Sequence, residues 1–220
     1  MRLKLKNNSG FTLMELVVVL GVFSISIFII TEIFMFTNRS QKKVLAYQKV
    51  QSDASYALET MARAVRLGKI DYAHYTTVNN PEEELYVFDS DGRQAVFEKA
   101  TGADCANAAS SPCIAAGIDQ DADGTADQFA AITPKGIKVS DLKFYIVPVS
   151  DPFYVKACSA HADCASGIGL CDVATQLCEV ADIQPMVTIV LSTIEAEPSS
   201  QETPVSVTLQ TTVSSREYYR

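Results

Sequence analysis

The sequence predicts an α+β protein: a long N-terminal α-helix packed on an antiparallel β-sheet head domain. Three observations predict it. An apolar run without charge extends from Leu16 to Thr31 and continues through Glu32 to Phe36. An apolar stripe at helical spacing follows, and beyond Ile70 come short β-like segments separated by clusters of Gly, Pro, Ser and Asp. One helix followed by consecutive strands buries the helix stripe against the sheet.

Residues 11–36 form the first half of the helix. A bilayer span needs roughly 20 mainly apolar residues, and this segment supplies them. Residues 37–68 form the amphipathic half. Val44, Tyr47, Val50, Ala54, Leu58, Met61 and Val65 recur at steps of three or four, with Lys42, Lys49, Asp53, Glu59 and Arg63 between them. Gly68 is the natural stop. The whole helix would have about 55 residues and measure roughly 80 Å at 1.5 Å per residue.

Residues 69–220 are expected to form a β-rich head. Leu85–Phe88 and Ala95–Phe97 flank Asp89-Ser90-Asp91-Gly92-Arg93, a hairpin closed by an Asp-Gly turn. Further strands are expected at Asp127–Ile132, Leu142–Val147, Val187–Leu191 and Val205–Val213. The tail to Arg220 should fray.

The formal net charge of -8 excludes an ordinary nucleic-acid surface, which should be basic. Losing Arg2, Lys4 and Lys6 would take it to about -11. These three cations place residues 1–10 in the cytoplasm and the chain beyond Phe36 outside. All six cysteines lie past residue 100, in loop-like sequence on the side where disulfides form. His74 and His161 have no evident companions and read as surface residues, and no nucleophile elbow, phosphate loop or zinc spacing is present.

Glu15 is the anomaly in the apolar half. An acidic side chain near the membrane-embedded end of a helix costs about 2.5–3.5 kcal/mol and calls for a partner. Cleavage between Gly10 and Phe11 would create one, because the new α-amino group of Phe11 could answer Glu15 of a neighbouring subunit. An ordinary signal peptide has a shorter, uncharged apolar region and a small-residue cleavage site, and none follows Phe36.

A short basic leader ending in Gly10, then Phe11-Thr12-Leu13-Met14-Glu15 and a long apolar helix, resembles the type IV pilin and type II secretion pseudopilin superfamily. The resemblance implies that prepilin peptidase cuts after Gly10 and methylates Phe11, and that Glu15 guides the subunit into a filament. It implies as partners the membrane lipid before assembly, other pilin or pseudopilin subunits, and an inner-membrane platform driven by a cytoplasmic ATPase. Pilins of this kind commonly carry a helix-kinking proline, whereas this chain has none before Pro81 and only Gly21 within the span. The segments Gln184-Pro185-Met186-Val187-Thr188 and Leu209–Arg216 resemble the C-terminal strands of minor, J-like pseudopilins.

Two insertions set the head apart. Segment 158–178 holds Cys158, Cys164, Cys171 and Cys178 with Gly167, Gly169 and little apolar content, so disulfides must replace a core. A metal site would need closer cysteine pairs. Spacing leaves three pairings open. The crossed one, Cys158 with Cys171 and Cys164 with Cys178, resembles small knots of secreted bacterial proteins, leaving Cys105 and Cys113 as a separate loop. The other insertion is Asp119-Gln120-Asp121-Ala122-Asp123-Gly124-Thr125-Ala126-Asp127. Asp119, Asp121, Asp123 and Asp127, with the Thr125 carbonyl, resemble the first nine positions of an EF-hand calcium loop; the closing acid is replaced by Ala130.

These features predict a non-enzymatic, minor pilin-like subunit of a pilus or pseudopilus, stored as a single-pass inner-membrane protein with an extracytoplasmic head. It needs no cofactor beyond possible calcium, and no nucleic acid is expected as partner. The competing expectation is an anchored binding module or enzyme that never enters a filament.

Overall fold

The computed structural model describes residues 10–75, 78–105, 111–121, 126–153, 157–160, 163–164, 170–172, 174–178, 183–197 and 203–216. The chain is α+β and divides into two compact units, Met1–Leu45 and Ala46–Arg220. Helix α1 runs from Leu13 to Leu67, 55 residues.

In the first unit, large apolar side chains from Leu16 to Phe36 are between 48% and 73% exposed, so no face is buried. Hydroxyls in this stretch satisfy themselves: Ser24 Oγ donates to the Leu20 carbonyl (2.8 Å), Ser26 to Val22 (2.9 Å) and Thr31 to Ile27 (2.8 Å). That pattern makes polar residues tolerable where water is absent.

In the second unit, α1 buries Val50, Ala54, Ala57, Leu58, Met61, Ala62 and Val65. The expected stripe therefore holds from Val50 onward. Tyr47, nearer the helix's apolar half, is 46% exposed, as is Val44 (54%) in the first unit.

The stripe shares one core with two antiparallel sheets. The first is a five-stranded meander of β1 (Lys69–Ile70), β2 (Glu84–Phe88), β3 (Gln94–Ala100), β4 (Cys113–Ile118) and β5 (Gln128–Ala131). The second comprises β6 (Ile137–Val147), β9 (Met186–Glu195) and β10 (Ser206–Ser214), in the order β10-β9-β6. A small pair, β7 (Cys171–Asp172) and β8 (Leu177–Cys178), belongs to the cysteine-rich segment. Val187, Ile189 and Leu191 alternate inward from β9, and Leu142, Phe144 and Ile146 from β6.

The β2–β3 hairpin closes as its turn chemistry demands. Asp89 Oδ1 accepts the backbone N–H of Asp91 (2.8 Å) and of Arg93 (2.9 Å), and Gly92 sits at φ +80°. Desolvation raises the Asp89 carboxyl, but these backbone bonds and the Arg93 guanidinium outweigh it and hold it below its ordinary value.

Gly68 ends α1 for a different reason from the usual left-handed cap. A Cβ there would stand 2.5 Å from the Phe88 carbonyl oxygen and 2.7 Å from that of Ala64, both backbone atoms. The buried Ser215 hydroxyl also donates to the Gly68 carbonyl (2.7 Å). Gly68→Ala should therefore cost about 1–3 kcal/mol by overpacking the helix end against β2. A drop in melting temperature of about 3–10 °C is expected.

Candidate functional site

Three places carry the candidate residues. At the N terminus, Thr12 precedes α1 as its cap: its Oγ1 accepts the Glu15 N–H (3.3 Å) and its carbonyl accepts the Leu16 N–H (3.2 Å). Thr12-x-x-Glu15 thus has capping-box spacing, with Glu15 in the first turn where the helix dipole favours a carboxylate. The Thr12–Glu15 spacing signals this local role, which stands beside the assembly role expected for Glu15. Gly10 and Phe11 precede the helix and are exposed, Phe11 at 79%. The rest of the leader, 1–9, lies outside the described residues.

In the acidic segment, carboxylate oxygens of Asp119, Asp121 and Asp127 all lie within 4.8 Å of one another. Asp119 is buried, and backbone bonds fix both ends of the loop: Asp119 N–H to the Gln94 carbonyl (2.9 Å) and Asp127 N–H to Ile118 (3.3 Å). Oxygens on opposite sides of a calcium ion at 2.3–2.6 Å would be about 5 Å apart, so this spacing fits one. Asp123, Gly124 and Thr125 lie outside the described residues. Ala130 is in β5 opposite Ala116, so the loop leads into a strand, not a helix.

The cysteines are joined as Cys105–Cys113, Cys158–Cys171 and Cys164–Cys178. The last four form a buried cluster of their own, with Ser159 and Ala160 N–H both donating to Asp163 Oδ2 (2.8 and 2.9 Å). Not every cysteine is in a loop, since Cys113 begins β4. His74 is exposed and stacks on Tyr86, ring centroids 3.4 Å apart; His161 lies outside the described residues.

Two charged positions emerged only from the fold. Asp71, buried, accepts the N–H groups of Ala73 (3.1 Å) and His74 (3.2 Å) and the Gln94 amide (2.8 Å), tying the segment after β1 to β3. Asp53 on α1 has a buried Oδ2 without a hydrogen-bond partner, facing Gly136. Burial raises its carboxyl above the ordinary 3.8, and the Lys49 ammonium opposes this only in part. A raised carboxyl pKa favours the folded state in acid, and that contribution is lost as pH rises through the folded-state value. Asp53→Asn should melt higher than wild type at pH 7, and the difference should close below about pH 3.8.

An apolar cleft of about 510 Å³ opens beside the end of α1, lined by Ala64, Leu67, Val87, Phe97 and Ile132, with Arg63 at its rim.

Against known families, the Prokaryotic N-terminal methylation motif matches residues 5–31, the leader end, the Gly10–Phe11 junction, Glu15 and most of the apolar half. The chain therefore carries a prepilin-type N terminus, which supports a place in the type IV pilin and pseudopilin superfamily. That motif implies processing by prepilin peptidase and assembly with other pilins. No curated protein and no solved structure matches the chain significantly.

Proposed function

We propose that the chain is a non-enzymatic, minor, J-like pilin subunit of a type IV pilus or type II secretion pseudopilus. Prepilin peptidase cleaves it after Gly10 and methylates Phe11. The subunit waits in the inner membrane with its head outside, then enters the filament through α1 with the help of an inner-membrane platform. The observation that carries this reading is the Gly10–Glu15 motif at the start of a helix whose apolar half is exposed on all sides. In water such a surface is untenable, whereas lipid before assembly and neighbouring helices after it would both cover it. Shearing filaments from cells and probing them for the chain tests the reading: the subunit belongs in the sheared fraction, and a tethered protein stays with the membrane. The tethered binding module has the 510 Å³ cleft in its favour.

The acidic loop is proposed to take calcium through Asp119, Asp121 and Asp127, joined by Asp123 and the Thr125 carbonyl. Three carboxylates gathered within 4.8 Å supply the hard oxygen donors, at the spacing, that a calcium ion takes. With no closing acid, an affinity on the order of 0.1–1 mM is expected. Calcium at ten times that constant should stabilise the chain by about 1.4 kcal/mol, raising its melting temperature by about 3–6 °C. Magnesium should do less, and Asp121→Ala with Asp127→Ala should remove the effect. Equal melting in chelator and in calcium would leave an acidic turn.

A further inference from the structure

The 510 Å³ cleft beside the end of α1 has a mixed lining. Its wall on the α1 side runs from Thr60 to Gly68, about 12 Å at 1.5 Å per residue, and the facing wall comes from β2, β3 and β4. Val87, Phe97 and Ile132 supply apolar surface, and Ser90 and Gln94 supply polar groups. Two apolar side chains of the lining, Leu67 and Ile118, are left 68% and 48% exposed. Its two guanidinium groups differ. Arg93 is held by Asp89 (3.0 Å) and Asp91 (3.1 Å), whereas Arg63 has no ion pair or hydrogen bond among the described residues.

The end of β10 is pinned at this cleft. Ser215 is fully buried, its N–H donates to the Pro185 carbonyl (2.9 Å), and its hydroxyl donates to the carbonyl of Gly68 (2.7 Å), a residue of the cleft wall. The described chain stops one position later, at Arg216, and the sequence continues Glu217-Tyr218-Tyr219-Arg220. Two or three extended residues span about 7–11 Å. From Arg216 that distance covers the wall between Gly68 and Ala64, which measures about 6 Å. A tyrosine suits such a lining, because its ring meets the apolar surface and its hydroxyl meets the polar groups.

We propose that the tail after β10 folds back past Gly68 and seats a tyrosine of the Tyr218-Tyr219 pair in the cleft, with the Glu217 carboxylate answering Arg63. The ring covers Leu67 and Ile118, and the tail is held where its position in the sequence alone would let it fray. The cleft is then closed to a foreign ligand by the chain's own segment. This removes the feature that a tethered binding module would use, and it holds whether or not the chain enters a filament.

The test uses the full chain, dilute and in detergent, with Tyr218 and Tyr219 replaced one at a time by the photoreactive p-benzoylphenylalanine. After illumination, mass spectrometry should find crosslinks within one chain, from the tail to the cleft walls of α1, β2, β3 or β4. Thr60→Trp fills the cleft from the helix side and should lower their yield at least ~10-fold, because the ring loses its buried place. Arg63→Glu sets like charges together and should lower it about 2–5-fold, which keeps the test open if the tryptophan variant misfolds. Crosslinks that avoid the cleft, or fail to form, overturn the proposal, as do crosslinks undiminished in a folded variant. Crosslinks that join two chains overturn it too, and give the cleft to a second copy.

Discussion

In cells making the Gly10→Val variant, the chain should remain in the membrane as the uncleaved precursor, with mature product reduced at least ~100-fold, about 2.7 kcal/mol of lost discrimination at the peptidase. The structure makes this substitution clean. A Cβ on Gly10 would meet nothing within 4 Å, so valine need not disturb α1 or the head. The effect should therefore lie in recognition of the junction. Quantitative blotting and intact mass would read it directly, and normal processing of the valine variant would move the cleavage site elsewhere.

Glu15 should show the second large effect, and the capping geometry makes its test sharper. If Glu15 serves only the first turn of α1, Glu15→Gln keeps a capping-box residue and should behave as wild type. If its charge answers the α-amino group of Phe11 on a neighbouring subunit, both Glu15→Gln and Glu15→Val should be cleaved and stored normally yet enter filaments at least ~10-fold less, about 1.4 kcal/mol or more. Thr12→Ala separates the two roles from the other side. It removes the oxygen that accepts the Glu15 N–H, at about 0.5–2 kcal/mol of local helix stability, and leaves the charge in place. Loss of recruitment in the Glu15 variants together with near-normal recruitment in Thr12→Ala is the expected result. Wild-type recruitment of Glu15→Gln would reduce Glu15 to a cap.

The helix and the hairpin were legible because their signals are local. An apolar stripe at steps of three and four needs only sequence distance, and Asp89 to Gly92 specify their own turn. Strand β4 was missed because Cys113-Ile114-Ala115-Ala116-Gly117-Ile118 does not alternate: its first three residues are all buried, and small residues carry weak strand preference. Only neighbours β3 and β5 make it a strand. Strands β6 and β9 extend beyond the expected segments for a related reason. Their outer residues, such as Lys138 and Thr193, are held by pairing across the sheet. Gly68 was read as a stop, but the cause, a close approach to the Phe88 carbonyl, is a tertiary fact. The acidic spacing flagged Asp119, Asp121 and Asp127; that their oxygens converge depends on the β4–β5 connection. Spacing could not choose among cysteine pairings, since each of the three closes a short loop.

The proposed subunit is processed at Gly10–Phe11 and built into a filament by its N-terminal helix. Mass spectrometry of the N-terminal peptide, taken from the chain recovered in sheared filaments, tests both halves at once. The expected peptide begins at Phe11 and is one methyl group heavier than its sequence. A peptide beginning at Met1, or beyond residue 36, or a sheared fraction without the chain, would contradict it.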